Sequence, residues 1–227
     1  MKINDQKRKT LNLLPSILGI ISIIAVLISP GLVYAQASES KQTPEADNYQ
    51  SCVACHGAQG KGNKALGAPG LANLEPDYIA LQLRNFRDGL RGSHPADTGG
   101  AQMRAFTLNL DDSAIEAVAN VAAQMEDYVP ESHIKGNPEL GKNYYYHRCG
   151  ACHGAVAKGN AALKAPKLAG LDEWYVESQL NKFREGVRGT HEKDKLGAQM
   201  HYMMNYFSAS EQITDIIAYL RKPIDAE

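Results

Sequence analysis

The chain has 227 residues, a length that suits one large domain or two small ones. Charged residues make up 22% of it, enough for a soluble surface, and its formal net charge is −1 at pH 7. Loss of the basic N-terminal segment described next would leave a net charge of about −4. This balance does not suggest a nucleic-acid-binding protein and favours a partner with a basic docking patch.

Residues 1–35 are typical of an export signal. Basic side chains precede an apolar run, ILGIISIIAVLI, at residues 17–28, and Val33 and Ala35 occupy the −3 and −1 positions of a cleavage site. The run is short for a membrane span, although residues 11–14 could extend it into an uncleaved anchor. We therefore predict a periplasmic protein that contacts a membrane only through its partners or through a retained N-terminal anchor.

An internal duplication follows the signal. Residues 52–63, CVACHGAQGKGN, nearly repeat as CGACHGAVAKGN at 149–160. With an offset of 97 residues and no gap, 30 of the 52 positions in 52–103 are identical to those in 149–200. Such a duplication indicates two copies of one structural unit. Each copy, at about 90 residues, is small for a self-sufficient core, so we expect a bound group to fill it.

Each copy is predicted to be helical, with no convincing strand pattern. Helix starts with proline in the first turn occur at Thr43-Pro44-Glu45 and Asn137-Pro138-Glu139. The predicted glycine-rich loops span 57–70 and 154–167, and the predicted short helices span 76–89 and 173–186. A last helix ends each copy. Its predicted inner face carries Ile115, Val118, Ala119 and Ala122 in the first copy and Ile213, Ile216, Ile217 and Leu220 in the second.

The predicted domain boundaries follow from this pattern. The first domain spans 36–129 and the second spans 139–227, separated by a linker at 130–138 that is polar and punctuated by proline and glycine.

All four cysteines of the chain lie in two C-x-x-C-H motifs, as Cys52 and Cys55 before His56, and as Cys149 and Cys152 before His153. A zinc site usually has four ligands with the histidine further away. A thioredoxin-like dithiol needs a βαβ context, which this sequence lacks. The third alternative, covalent attachment of haem c, matches the motif itself. Two copies behind an export signal predict two covalently bound haem c groups, no disulfide, and the two histidines as ligands of the irons.

Two methionines are the predicted ligands on the opposite faces of the irons. Met103 lies 47 residues after His56, and Met200 lies 47 residues after His153, each at the end of a GAQM sequence. A methionine ligand raises the reduction potential, and a filled face restricts the iron to electron transfer.

Other side chains compete for the same role. His94 and His191 also repeat and would give two bis-histidine haems. Met203 and Met204 compete in the second copy only, because the equivalent residues of the first copy cannot bind iron.

Further residues are predicted to surround the haems. The carbonyl groups of Pro69 and Pro166 are candidates to accept a hydrogen bond from the free N–H of each ligand histidine. Arg91 and Arg188 are candidates to pair with haem propionates or to line the interface between the copies. The side chains predicted to pack on the porphyrins are Leu66, Leu71, Tyr78 and Phe86 in the first copy and Leu163, Leu168, Tyr175 and Phe183 in the second.

From about residue 40 to its end, the chain resembles the c4-type dihaem cytochromes c. The resemblance rests on the two C-x-x-C-H-G motifs, on PGLAN and PKLAG, on YIALQLRNFRDG and YVESQLNKFREG, and on the two GAQM methionines. It implies two tandem all-α class I cytochrome c domains with His/Met-ligated haems. It further implies that the domains pack about a pseudo-twofold axis with the propionates at the interface, and that the protein carries electrons in the periplasm.

We therefore predict an electron carrier that is not an enzyme. Its expected partners are membrane respiratory complexes, namely quinol–cytochrome c reductase and a terminal oxidase, or periplasmic redox enzymes. One alternative is a dihaem peroxidase, which would need one open iron face and so an asymmetry that the near-identical copies speak against. Another is a fixed haem subunit of a membrane respiratory complex, which an uncleaved anchor would favour.

Overall fold

The computed structural model describes residues 44–221, so the predicted export signal lies outside the described residues. The first copy comprises α1 (Pro44–His56), α2 (Pro76–Arg87), α3 (Thr98–Thr107) and α4 (Asp112–Ala123). The second comprises α5 (Pro138–Arg148), α6 (Gly150–His153), α7 (Glu173–Arg184), α8 (Lys195–Met204) and α9 (Ser210–Arg221). Over 44–221 the only β pairing is two single bridges, Asn63–Ala68 and Asn160–Ala165, which confirms the all-α prediction.

The last helix of each copy forms its core. α4 packs on α1 and α2, and α9 packs on α5 and α7. The predicted inner faces are buried, with Ile115, Val118, Ala119 and Ala122 at 2% exposure or less and Ile213, Ile216, Ile217 and Leu220 at 3% or less. Burying one isoleucine side chain stabilises a fold by roughly 1.5–3 kcal/mol. These buried residues therefore stabilise the packing of α4 and α9 on the other helices of their own copies.

The GAQM sequences lie in helices of their own, α3 and α8, which the sequence analysis did not predict. Their local signal is weak because each has a glycine in its first turn, Gly100 in α3 and Gly197 in α8. Each helix is nevertheless capped, since Asp97 accepts a hydrogen bond from the Gly100 N–H at 3.0 Å and Asp194 accepts one from the Gly197 N–H at 2.8 Å.

The helix that leads into the C-x-x-C-H motif differs between the two copies. α1 runs without a break from Pro44 to His56. α5 ends at Arg148, and the separate turn α6 begins at Gly150, with Cys149 between them at a φ of −114°.

One extra residue accommodates this break. The Tyr49 hydroxyl donates to the Gly57 carbonyl at 3.0 Å, and in the second copy the Tyr145 hydroxyl donates to the Gly154 carbonyl at 2.6 Å. The ungapped alignment pairs Tyr49 with Tyr146 instead, so the copies are equivalent in sequence register only from the motif onward.

The segment between the two copies is bound to the second copy by hydrogen bonds. The Glu173 carboxylate accepts hydrogen bonds from the N–H groups of His133 and Ile134 at 2.8 and 3.1 Å. Arg221 at the end of α9 donates to the Pro130 carbonyl. α5 then begins at Pro138 with Asn137 as its cap, as its sequence predicts.

The two copies pack as one compact unit. Among the described residues, no helix has the length and apolar character needed to cross a membrane.

Candidate haem-binding sites

The motif histidines are placed alike in both copies. His56 and His153 each end a helix and are 5% exposed. The Nδ1 atom of His56 lies 2.8 Å from the Pro69 carbonyl oxygen, and that of His153 lies 2.8 Å from the Pro166 carbonyl oxygen. A carbonyl only accepts, so Nδ1 carries the proton in both rings and the lone pair of Nε2 is left for a metal.

Burial also favours the neutral form of these imidazoles. It lowers the pKa of both rings below the ordinary value, against the opposing effect of the hydrogen bond to each proline carbonyl. A neutral, oriented imidazole is the form that coordinates iron.

In the first copy, His56 lines a cleft of about 280 Å³ and a second, adjoining cleft of about 120 Å³. Cys52, His56 and Met103 line both parts, and Cys55 lines the larger one. The remaining walls are mostly apolar, with Leu71, Leu74, Tyr78, Ile79, Leu83, Phe86 and Val118 among them. An apolar cleft with two thiols, an oriented imidazole and a thioether on its walls fits a covalently attached haem.

Three of the competing side chains, Met204, His94 and His191, are placed differently from Met200. Met204 is 2% exposed and belongs to the hydrophobic core, whereas Met200 is half-buried like its counterpart Met103. The Nδ1 atoms of His94 and His191 each accept a hydrogen bond, at 3.2 Å, from a backbone N–H two residues further on in their own loop.

Two of the predicted porphyrin-packing residues are partly open to solvent. Leu66 is 53% exposed and Leu163 is 48% exposed, because both belong to short 3₁₀ turns at the surface. Leu66 still lines the cleft of the first copy.

Arg91 is buried at the interface between the copies. One of its Nη atoms donates to Gln82 at 2.9 Å within its own copy. The other donates across the interface to Gln179 at 2.8 Å and to the hydroxyl of Tyr175 at 3.0 Å.

Arg188 repeats this arrangement with the copies exchanged. It donates to Gln179 at 2.9 Å in its own copy, and across the interface to Gln82 at 2.8 Å and to Tyr78 at 3.5 Å. The interface therefore has quasi-twofold symmetry at this point.

The Nε atoms of Arg91 and Arg188 are buried and have no hydrogen-bond partner within the described residues. Buried donors of this kind normally have an acceptor. The hydrogen bonds of both guanidinium groups go to neutral side chains. The two positive charges therefore fit a negatively charged cofactor group such as a haem propionate.

The comparisons with known proteins agree with this geometry. The cytochrome c family model matches residues 46–120 and 138–222. The thiosulfate dehydrogenase electron acceptor of Thiomonas intermedia (strain K12) is 32% identical over 181 residues, which cover 73% of this chain and 76% of that protein. Cytochrome c4 of Azotobacter vinelandii is 27% identical over 181 residues, covering 75% of this chain and 83% of the relative.

A solved structure is similar as well. The cytochrome c4 structure from Acidithiobacillus ferrooxidans is 25% identical and superposes with a TM-score of 0.62, covering 76% of this chain and 98% of that one.

The all-α fold and the two motifs define a tandem class I cytochrome c with two covalently bound haem c groups. The chain belongs to the cytochrome c family, and the c4-type dihaem resemblance drawn from its sequence is confirmed. Electron transfer is its function.

Proposed function

We propose that the protein is a periplasmic electron carrier in which each iron is held between a histidine and a methionine, His56 with Met103 and His153 with Met200. The observation that carries the proposal is the matched placement of the two methionines, half-buried in equivalent capped helices of both copies.

The two methionine-bearing helices are fixed by the same close contact. Gly92, at a φ of +80°, lies so near the Gly100 carbonyl that a Cβ atom would overlap it. Gly189, at +83°, lies equally near the Gly197 carbonyl. Only glycine fits both the space and the left-handed backbone at these points. The methionine follows three residues later in each helix, so the contact supports a fixed position for its thioether.

The haem groups supply one-electron exchange between ferric and ferrous iron. The chain would supply the iron ligands, orient the imidazoles through the carbonyl groups of Pro69 and Pro166, and exclude water with the apolar walls of the cleft. A thioether is a soft, neutral ligand that favours ferrous iron and raises the potential. Filling both faces in this way would leave no position for peroxide, as expected of a carrier and not of a peroxidase.

The test is to replace each methionine singly. Met103→Ala should open one iron to carbon monoxide and remove about half of the far-red absorption of Met-to-iron charge transfer, and Met200→Ala should do the same at the other haem. Met204→Leu is the control, because it removes the thioether of a competing side chain while nearly conserving its volume in the core, and it should leave both spectra unchanged. Retention of the full band in Met200→Ala, with its loss in Met203→Ala, would overturn the assignment in the second domain.

We further propose that the mature protein begins at Gln36, with domains at 36–129 and 139–227 joined by the linker at 130–138. N-terminal sequencing of the native protein tests the cleavage site. A start at Met1 would instead favour a protein anchored to the membrane as a fixed subunit.

The proposed partners are redox enzymes that exchange electrons with this carrier. A periplasmic dehydrogenase is one donor, supported by the relative whose name describes it as an electron acceptor of thiosulfate dehydrogenase. Quinol–cytochrome c reductase is a second donor, and a terminal oxidase is the proposed acceptor. Stopped-flow reduction by each purified donor would discriminate them, and the physiological donor should show a saturable rate that falls with rising ionic strength.

A further inference from the structure

One peptide group in each domain joins the ligand histidine to a carboxylate of the other domain. In the first domain, the Pro69 carbonyl lies 2.8 Å from Nδ1 of His56. The N–H of the same peptide group belongs to Gly70, and it donates to Oδ2 of Asp172 at 2.8 Å. Asp172 is the residue before α7 and so belongs to the second domain.

The equivalent peptide group of the second domain makes the corresponding contacts. The Pro166 carbonyl lies 2.8 Å from Nδ1 of His153. The N–H of this peptide group belongs to Lys167 and lies 3.3 Å from both carboxylate oxygens of Glu75. Glu75 precedes α2 in the first domain, as Asp172 precedes α7 in the second.

The contact of Asp172 is held firmly. The Tyr128 hydroxyl donates to the same Oδ2 atom at 3.1 Å, and the backbone N–H of Tyr128 donates to Asn73 at 3.0 Å. Asn73 in turn donates to the Gly170 carbonyl at 2.7 Å, close to Asp172 along the chain. Gly70 and Asn73 are buried, so little water competes for the hydrogen bonds.

A carboxylate in this position acts on the histidine through the peptide group. The peptide C–N bond has partial double-bond character, so negative charge at its N–H draws electron density toward its carbonyl oxygen. A carbonyl oxygen with more electron density accepts a stronger hydrogen bond from Nδ1–H. The stronger hydrogen bond gives the imidazole more anionic character. Such a ring stabilises ferric iron, since hydrogen bonds to the outer nitrogen of a ligand histidine raise its basicity as a ligand.

We propose that Asp172 and Glu75 are positioning residues that act across the domain boundary, each strengthening through one peptide group the hydrogen bond that holds the axial histidine of the other domain. The proposal rests on the assignment of His56 and His153 as axial ligands and is independent of the methionines. It gives the interface a function in setting the two potentials.

The geometry predicts the size and direction of the effect. Removing the charge of Asp172 should favour the ferrous state of the first-domain haem. Losing a group bonded directly to a metal ligand typically changes metal affinity or activity by about 10- to 100-fold. Because a peptide group intervenes here, we expect a smaller shift of the one-electron equilibrium, about three- to tenfold. Glu75→Gln should act on the second-domain haem, and more weakly, because its contacts are longer and divided between two oxygens.

The experiment uses the full-length holoprotein and the variant Asp172→Asn, whose amide oxygen can still accept the Gly70 N–H. Potentiometric titration measures both haems. NMR of the ferrous protein with ¹⁵N-labelled histidine measures the Nδ1–H proton of His56, which should move upfield as its hydrogen bond weakens. Glu177→Gln is the matched control. Glu177 is exposed on α7, so this substitution removes one negative charge from the same helix without touching the peptide group of Pro69 and Gly70.

Three outcomes would overturn the proposal. They are an unchanged Nδ1–H resonance in Asp172→Asn, an equal shift of both haems, or a shift no larger than that of Glu177→Gln. If Asp172→Asn does not accumulate as folded holoprotein, Glu75→Gln tests the same relay at His153. If one of these outcomes is found and the variants keep the Met-to-iron band, only the relay is wrong. If the wild-type protein itself lacks this band, the proposed His/Met ligation is wrong.

Discussion

Lys182 and Asp97 form an ion pair between the domains, and its removal is the most informative test of the interface. The Lys182 Nζ lies 2.6 Å from Oδ1 of Asp97. The Asp97 side chain is 1% exposed and also caps α3, the helix that carries Met103. Lys182→Met keeps most of the apolar stem of the side chain and removes its ammonium group, with both the charge and the hydrogen bond to Asp97.

The structure sets the expected loss of stability. Removing one partner of a buried ion pair typically costs about 3–5 kcal/mol, because the other charge is left without compensation. The Lys182 side chain retains 24% exposure, and the Gly100 N–H and the N-terminus of α3 still stabilise the carboxylate. We therefore expect the free energy of unfolding to fall by about 2 kcal/mol at pH 7.

The loss should depend on pH in a defined direction. Burial alone would raise the pKa of Asp97, but the hydrogen bond and charge of Lys182, with the Gly100 N–H, outweigh it and hold the pKa below its ordinary value. A carboxyl with a lowered pKa in the folded state contributes stability above its unfolded pKa and loses it as the pH falls through the folded value. The difference between wild type and Lys182→Met should therefore hold from pH 7 down to about 4, the ordinary pKa of an aspartate in the unfolded chain, and should shrink as the pH falls further toward the folded value.

The assay is guanidinium unfolding of the holoprotein at pH 7 and at several pH values below about 4, followed by Soret absorbance and far-UV circular dichroism. Lys167→Met is the matched control, because its ion pair with Asp127 is 3.3 Å long and the Asp127 side chain is 70% exposed. Exposed pairs contribute about 0.2–1 kcal/mol. A loss in Lys182→Met no greater than in Lys167→Met, or one that stays constant with pH, would refute the reasoning.

Three further substitutions test the second domain, each by the same unfolding assay. Gly141→Ala should destabilise it by at least 1–3 kcal/mol, because the new methyl group would overlap the Asp215 carbonyl where α5 crosses α9. Tyr145→Phe should cost about 1 kcal/mol by removing the buried 2.6 Å hydrogen bond to Gly154, with an unchanged m-value. Asn137→Ala should cost about 1 kcal/mol by removing the cap of α5. A loss below about 0.3 kcal/mol in any of them would contradict the corresponding contact.

Much of this protein follows from sequence because the chemistry concerned is local. The C-x-x-C-H motif brings two thiols and an imidazole together within five residues, so the haem attachment sites can be located without a fold. The inner faces of α4 and α9 follow from helical spacing, and the cap at Asn137 follows from its neighbours. The duplication then carries each assignment from one domain to the other.

Only the tertiary structure shows which residues that are far apart in the chain are in contact. The Asp172 carboxylate reaches the peptide group of Gly70, 102 residues away, and Lys182 reaches Asp97. No local spacing encodes such pairs, since they depend on how the two domains pack. The one-residue shift that places Tyr145 where Tyr49 stands is likewise a product of packing. In each domain the tyrosine hydroxyl reaches the carbonyl of the glycine after the motif, and in the second domain the helix breaks before the motif, which the ungapped alignment does not reveal.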